Sequence, residues 1–109
     1  MKVKFKKWDC VTRVGWYGNG NLGIELIDEK DGGVVAKATT NTGKILLDNQ
    51  VAIKDWTENM GMVEALKEAG VIDKCVGSEW VNLMAGLFAP IYTITEEFKK
   101  EVEKAEGEN

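Results

Sequence analysis

Two stretches of this chain have the spelling of phosphate chemistry. Gly18-Asn19-Gly20-Asn21-Leu22-Gly23 is a G-x-G-x-x-G, and Val51-Ala52-Ile53-Lys54 is a V-A-I-K. A Gly-rich loop that cradles a pyrophosphate must open a helix, whose free N–H groups meet the anion. Here Leu22, Ile24 and Leu26 alternate with Gly23 and Glu25, so a strand follows. A protein kinase does place such a loop before a V-A-I-K strand and pairs the lysine with a glutamate on the next helix, for which Glu58, Glu64 and Glu68 are available. It also requires an H-R-D loop and a D-F-G metal motif, and this chain has no histidine at all. Gly18, Gly20 and Gly23 are therefore expected to serve turns and strand crossings, and Lys54 to be a solvated strand-end lysine.

The missing histidine also excludes Ser-His-Asp and Cys-His nucleophilic sites. Cys10 and Cys75 belong to no C-x-x-C and are expected as free thiols, with no zinc site. Asp28, Glu29 and Asp31 surround a Gly turn, but Lys30 interrupts them and no glutamate follows at calcium-loop spacing, so a solvated turn is expected. No catalytic residue, metal site or cofactor is assigned. Asp55, Glu58 and Asn59 stand at the start of a helix, where free N–H groups would favour an anionic small ligand.

Binding surfaces are a different matter. Lys4-Phe5-Lys6-Lys7-Trp8, with Arg13 and Trp16 nearby, mixes cations with rings in the way that suits single-stranded nucleic acid. The same run also suits an edge strand whose lysines discourage edge-to-edge pairing. Four tryptophans in 109 residues exceed what one small core usually consumes. Trp16, Tyr17, Trp56, Glu58 and Trp80 are the candidate partner-binding residues, since tryptophan and tyrosine are favoured anchors.

The elements that must position these residues can be read from punctuation and period. The length and the 44% apolar content fit a single domain over residues 1–109. Val3 and Phe5 alternate with lysines, then the phase slips at Lys6-Lys7 and Trp8, Cys10, Val14 and Trp16 take the even positions. This predicts one strand with a bulge or bend. Gly-rich turns at 17–21 and 28–33 make the next two strands an antiparallel meander, so residues 3–54 are expected to be mainly strands. A helix is predicted over 58–69, capped by Thr57 or Asn59, weakened by Gly61 and closed by Gly70. Residues 71–95 read as strands with an irregular stretch at 77–86, and 96–106 as a C-terminal helix begun by Thr95 and frayed from Gly107 to Asn109. The expected fold is α+β: a twisted antiparallel sheet of about five or six strands, a central helix on one face and a second helix at the C-terminus.

Charge is uneven. Lys2, Lys4, Lys6, Lys7 and Arg13 against Asp9 give the first twenty residues +4, which leaves −8 on the rest of a chain of net −4. No run of about 18 apolar residues is present, so no membrane span is expected. The opening MKVKFKKWD has no apolar stretch behind it to make a secretory signal, so a cytoplasmic location is expected.

The run Val51-x-Ile53-Lys54-Asp55-Trp56-x-Glu58-Asn59-x-Gly61-Met62, with Gly18 to Leu26 and Val35 to Asn41 before it, resembles a family of small proteins carried by bacterial phages, plasmids and conjugative transposons. The resemblance covers about residues 3–72 and leaves out Trp80 to Phe88 and the charged last helix. It implies no activity and no functional residue. It implies a setting in which small acidic proteins act against host machinery, so a host or phage protein is the expected partner. The leading expectation is a non-enzymatic protein-binding module, an inhibitor of a host defence protein or nuclease. A single-stranded nucleic-acid accessory protein and a small-anion binder are the alternatives.

Overall fold

The computed structural model describes residues 1–107; of the fraying expected from Gly107 to Asn109, Glu108 and Asn109 lie outside the described residues, and Gly107 is instead the last residue of the C-terminal helix. Seven strands and two α-helices follow in the order β1 (Lys2–Phe5), β2 (Trp8–Trp16), β3 (Leu22–Asp28), β4 (Val34–Lys37), β5 (Gln50–Ala52), α1 (Met62–Glu68), β6 (Ile72–Asn82), β7 (Leu87–Ile94) and α2 (Glu96–Gly107). The α+β class is as expected. The single sheet of five or six strands is corrected to two antiparallel sheets, β1-β2-β3-β4 and β5-β7-β6.

The sheets meet where the chain beyond β4 crosses the end of β5. Thr39 bridges Ile53, flanked by hydrogen bonds from Thr40 N to Ala52 O and from Lys54 N to Ala38 O. Pro90 explains why β5 stops there. Ile53 N donates to Pro90 O, but proline has no N–H to return the bond, so the ladder ends and Ile53 turns to Thr39 instead.

The phase slip at Lys6-Lys7 is a hairpin turn rather than a bulge. Phe5 lies opposite Trp8, leaving two residues in the loop, with Lys6 at φ 55. The expected three-stranded meander therefore has four strands. The stretch 77–86, read as irregular, is the far half of an 11-residue strand and its turn. Three register shifts in the β6–β7 ladder erase the period-2 signal.

Both helices pack into one core. Met62 and Leu66 of α1 and Phe98 and Val102 of α2 join Val3, Phe5, Ile24, Leu26, Tyr92 and Ile94 from the strands. On the opposite face of the small sheet, Ala52, Ala89 and Ile91 form a second cluster, covered by Leu46, Trp56 and Val81. The expected stripe on the last helix holds: Phe98 and Val102 are buried and Ala105 is half-buried. Its cap also holds. Thr95 Oγ1 accepts from Phe98 N at 3.0 Å and donates to Gly70 O at 2.6 Å, tying the end of α1 to the start of α2. The Met1 ammonium contacts Glu101 and Thr12, fastening α2 to the first strand pair.

The helix expected over 58–69 is shorter and is capped differently. A 3-10 turn at Thr57–Asn59 precedes it, and α1 itself begins at Met62 after Gly61, whose φ of 97 suits glycine alone. Gly61 is thus a requirement of the helix start and not a weak first turn. At the other end, Val71 N bonds Leu66 O and Gly70 N bonds Lys67 O, with Gly70 at φ 76, the left-handed closure expected from the sequence.

Candidate functional site

The elbow between β5 and α1 is locked by its own side chains. The helix is capped by neither Thr57 nor Asn59. Asp55 takes that role from six residues upstream, its two carboxylate oxygens each accepting at 2.9 Å from Gly61 N and Val63 N. The N–H groups that a small anion would use are therefore occupied, and the carboxylate already answers the positive end of the helix. Asn59 is buried instead, and its amide donates to Lys37 O at 2.6 Å and to Lys54 O at 3.2 Å, pinning the elbow to the end of β4. Replacing Asp55 by alanine is expected to cost about 1–2 kcal/mol. A urea titration reads it as a lower midpoint at unchanged slope, and an unchanged midpoint would mean that the Asp55 bonds do not hold the helix.

Glu58 lies outside that lock and is exposed. The Thr57 hydroxyl, its own backbone N–H and Lys54 hold its carboxyl down to about 2. Because the shift is downward, the ionised form and its contacts persist throughout the neutral range and are lost only as pH falls towards that value. Trp56 does not fold over the helix start. It turns the other way and lies half-buried on the Ala52, Ala89 and Ile91 cluster.

The remaining candidate residues separate into distinct surfaces. Trp16, 40% exposed at the end of β2, and Tyr17 line one groove with Arg13, Gly23 and Lys37. Tyr17 lines the adjoining groove with Trp56. The Tyr17 ring lies across Gly23, where an added Cβ would stand 3.2 Å from it, and its hydroxyl is 3.0 Å from Thr39 Oγ1. Thr39 Oγ1 also accepts from Ile24 N, so ring and strand are fixed together.

The basic residues of the first strands do not form one track. Lys4 borders an open groove beside α1 with Asp9, Glu29 and Glu68. Lys6 donates to Glu58 O at 2.6 Å, Lys7 lies over the half-buried Trp8 ring, and Arg13 bonds Glu25 at 2.8 Å. Asp28 and Asp31 spend carboxylate oxygens on Lys30 N and Gly33 N inside their own turn, and among the described residues no three metal-binding side chains come together. Both thiols are free. Burial, followed by Asp28, Asp9 and Glu29, pushes Cys10 up and makes it a poor nucleophile.

Trp80 stands apart from the other candidates. On β6 it lies directly opposite Phe88 of β7, the ring centroids 3.7 Å apart and tilted by 36°. Both rings are 43% exposed. Beyond them, in the turn 83–86, Leu83 is 68% and Met84 99% exposed. Tyr92, further down the same face of β7, is buried in the main core, and Lys67 of α1 lies over its ring. Past Tyr92 the rings of Trp80 and Phe88 meet solvent on this face, whereas Ala89 and Ile91 stay buried on the other. Phe88, Leu83 and Met84 were not singled out by the sequence. Their signal was a run of large apolar residues around a turn, which reads equally well as core.

No described helix is long and apolar enough to cross a membrane. Compared with models of protein families, with curated proteins and with solved structures, the chain finds no match.

Proposed function

We propose that this chain is a non-enzymatic protein-binding module whose contact surface is the outer half of the β6–β7 hairpin. The observation that carries the reading is the Trp80–Phe88 stack held in solvent with Leu83 and Met84 beyond it. Burying a side chain of this size is worth about 1.5–3 kcal/mol, and the fold leaves much of that unclaimed. Contiguous exposed apolar surface on a folded domain is the usual mark of a partner site, and tryptophan is the favoured anchor.

The resemblance to proteins of bacterial mobile elements favours a host or phage protein as the partner and the cytoplasm as the place of action. The task that fits best is inhibition of a host defence protein. The acidic body, −8 outside the first twenty residues, would complement a basic groove such as a nuclease presents to nucleic acid. A pull-down from host lysate at low salt tests this, with wild type and a Trp80→Ser, Phe88→Ser variant as paired baits and with defence nucleases added. One stoichiometric partner on the wild type and none on the variant is expected. Recovery of no partner, or of the same proteins on both baits, counts against the reading.

A further inference from the structure

We infer that the groove between the outer faces of the two sheets binds an unpaired nucleotide, one base with one phosphate, at a site that does not include the Trp80–Phe88 stack. Two adjoining cavities, of about 280 and 450 Å³, share Tyr17, Lys37 and Thr39 and so form one groove. Joined, they reach the size range of small-ligand sites. Gly15 and Gly23 face each other in the β2–β3 register; the Tyr17 ring covers Gly23, and the floor is open beside it at Gly15, where a Cβ would meet nothing within 4 Å.

Three rings border this space, Trp16, Tyr17 and Trp56, and the last two are held in place. Tyr17 is held across Gly23 and by Thr39, and Trp56 rests on the second apolar cluster. Rings fixed in this way offer a stacking face for a base at little cost in side-chain freedom. Lys37 supplies the charge. Arg13 and Lys54 are each paired, with Glu25 and Glu58, whereas Lys37 makes no ion pair among the described residues. Its ammonium is thus available to one phosphate as a point charge. Asn41 and Asn82 lie on the same rim; their amide oxygens already accept, Asn41 from Asn19, Asn21 and Gly43 and Asn82 from Ala85 N, so it is their NH2 groups that are offered as donors to a base edge.

Three cations against two carboxylates leave the groove positive by one on a chain of net −4. That balance suits one phosphate and not a long polyanion track. A free mononucleotide and one nucleotide of a single strand share this chemistry, and the two arms of the experiment separate them.

The protein, labelled with 15N, is titrated with adenosine monophosphate and, separately, with an eight-nucleotide single strand, and the tryptophan indole N–H resonances are followed. The expected result is a saturable shift of the Trp56 resonance. The weakening expected for Lys37→Ala is about tenfold or more, with no effect of Trp80→Ser. Lys37→Ala is the decisive variant, because its side chain is exposed and makes no hydrogen bond or ion pair among the described residues, whereas Trp56→Leu also removes packing. Tighter binding of the strand assigns the site to strands, and equal or weaker binding of the strand assigns it to free nucleotides. An absence of shifts at about 10 mM ligand overturns the inference, as does equal affinity in Lys37→Ala. Failure here leaves the hairpin reading standing, because Trp80, Phe88, Leu83 and Met84, which carry that reading, line neither cavity.

Discussion

A variant with both Trp80 and Phe88 changed to serine is expected to lose at least about a hundredfold in affinity for the partner, with a Tm within a few degrees of wild type. Interface tryptophans that fill a partner's pocket are worth about 2–4 kcal/mol each, and the loss of two neighbouring anchors is not additive. The fold has little to lose by the change. The pair sits beyond the end of the main core, and a cross-strand aromatic pair contributes only about 0.2–1 kcal/mol to its own hairpin. Affinity is measured by calorimetry against the isolated partner and stability by thermal melting. A variant that still binds would move the contact surface elsewhere. A variant that binds poorly because it has unfolded would show the stack to be structural.

Phe98→Ala is expected to be the most damaging single change to the fold. Phe98 is completely buried, and with Val102 it docks α2 into the main core. Truncating a buried phenylalanine to alanine costs about 3–5 kcal/mol, since transfer energy is lost and a cavity is left. For a domain of this size the corresponding fall in Tm is on the order of 15–25 °C. The effect reaches α1, because Thr95 Oγ1 joins Phe98 N to Gly70 O, so loosening α2 also frees the carbonyl end of the first helix. Chemical denaturation should show the loss at unchanged cooperativity. A cost below about 1 kcal/mol would mean that α2 is an appendage rather than part of the core.

Some of this architecture was legible because single residues announce it. Alternation placed Val3 and Phe5, and Leu22, Ile24 and Leu26, on the core face, and all five are buried. Gly70 marked the end of a helix and Thr95 the start of another, because each acts on backbone groups only a few residues away. The errors occur where a distant or unusual contact decides. The Lys6-Lys7 turn contains none of the residues that normally mark a hairpin, and the Phe5–Trp8 pairing alone imposes φ 55 on Lys6. Asp55 caps α1 from beyond the reach of any local capping pattern. β6 is exposed at most of its positions and shifts register three times, so neither period nor burial identified it.

The candidate site divides in the same way. Trp80 was nameable from composition, because surplus tryptophan is a surface signal. Its partner Phe88 was not, since the pairing depends on a hairpin whose strands the period did not reveal. Trp56 was nameable as an anchor candidate but its place was not: the small sheet has a second apolar face, formed by Ala52, Ala89 and Ile91, and the indole packs on it. Tyr17 and Trp56 come to one groove only because the Thr39–Ile53 bridge brings the two sheets together, a contact the sequence does not reveal.

The most direct test of the hairpin as the protein-binding surface is site-specific photo-crosslinking in the host cell. A photoreactive amino acid is placed at Met84, at the tip of the hairpin, and separately at Glu103, exposed on α2. The expected result is one discrete protein adduct from position 84, absent from position 103 and abolished by the Trp80→Ser, Phe88→Ser change. The same adducts from both positions, or none from position 84 in a folded protein, would contradict it.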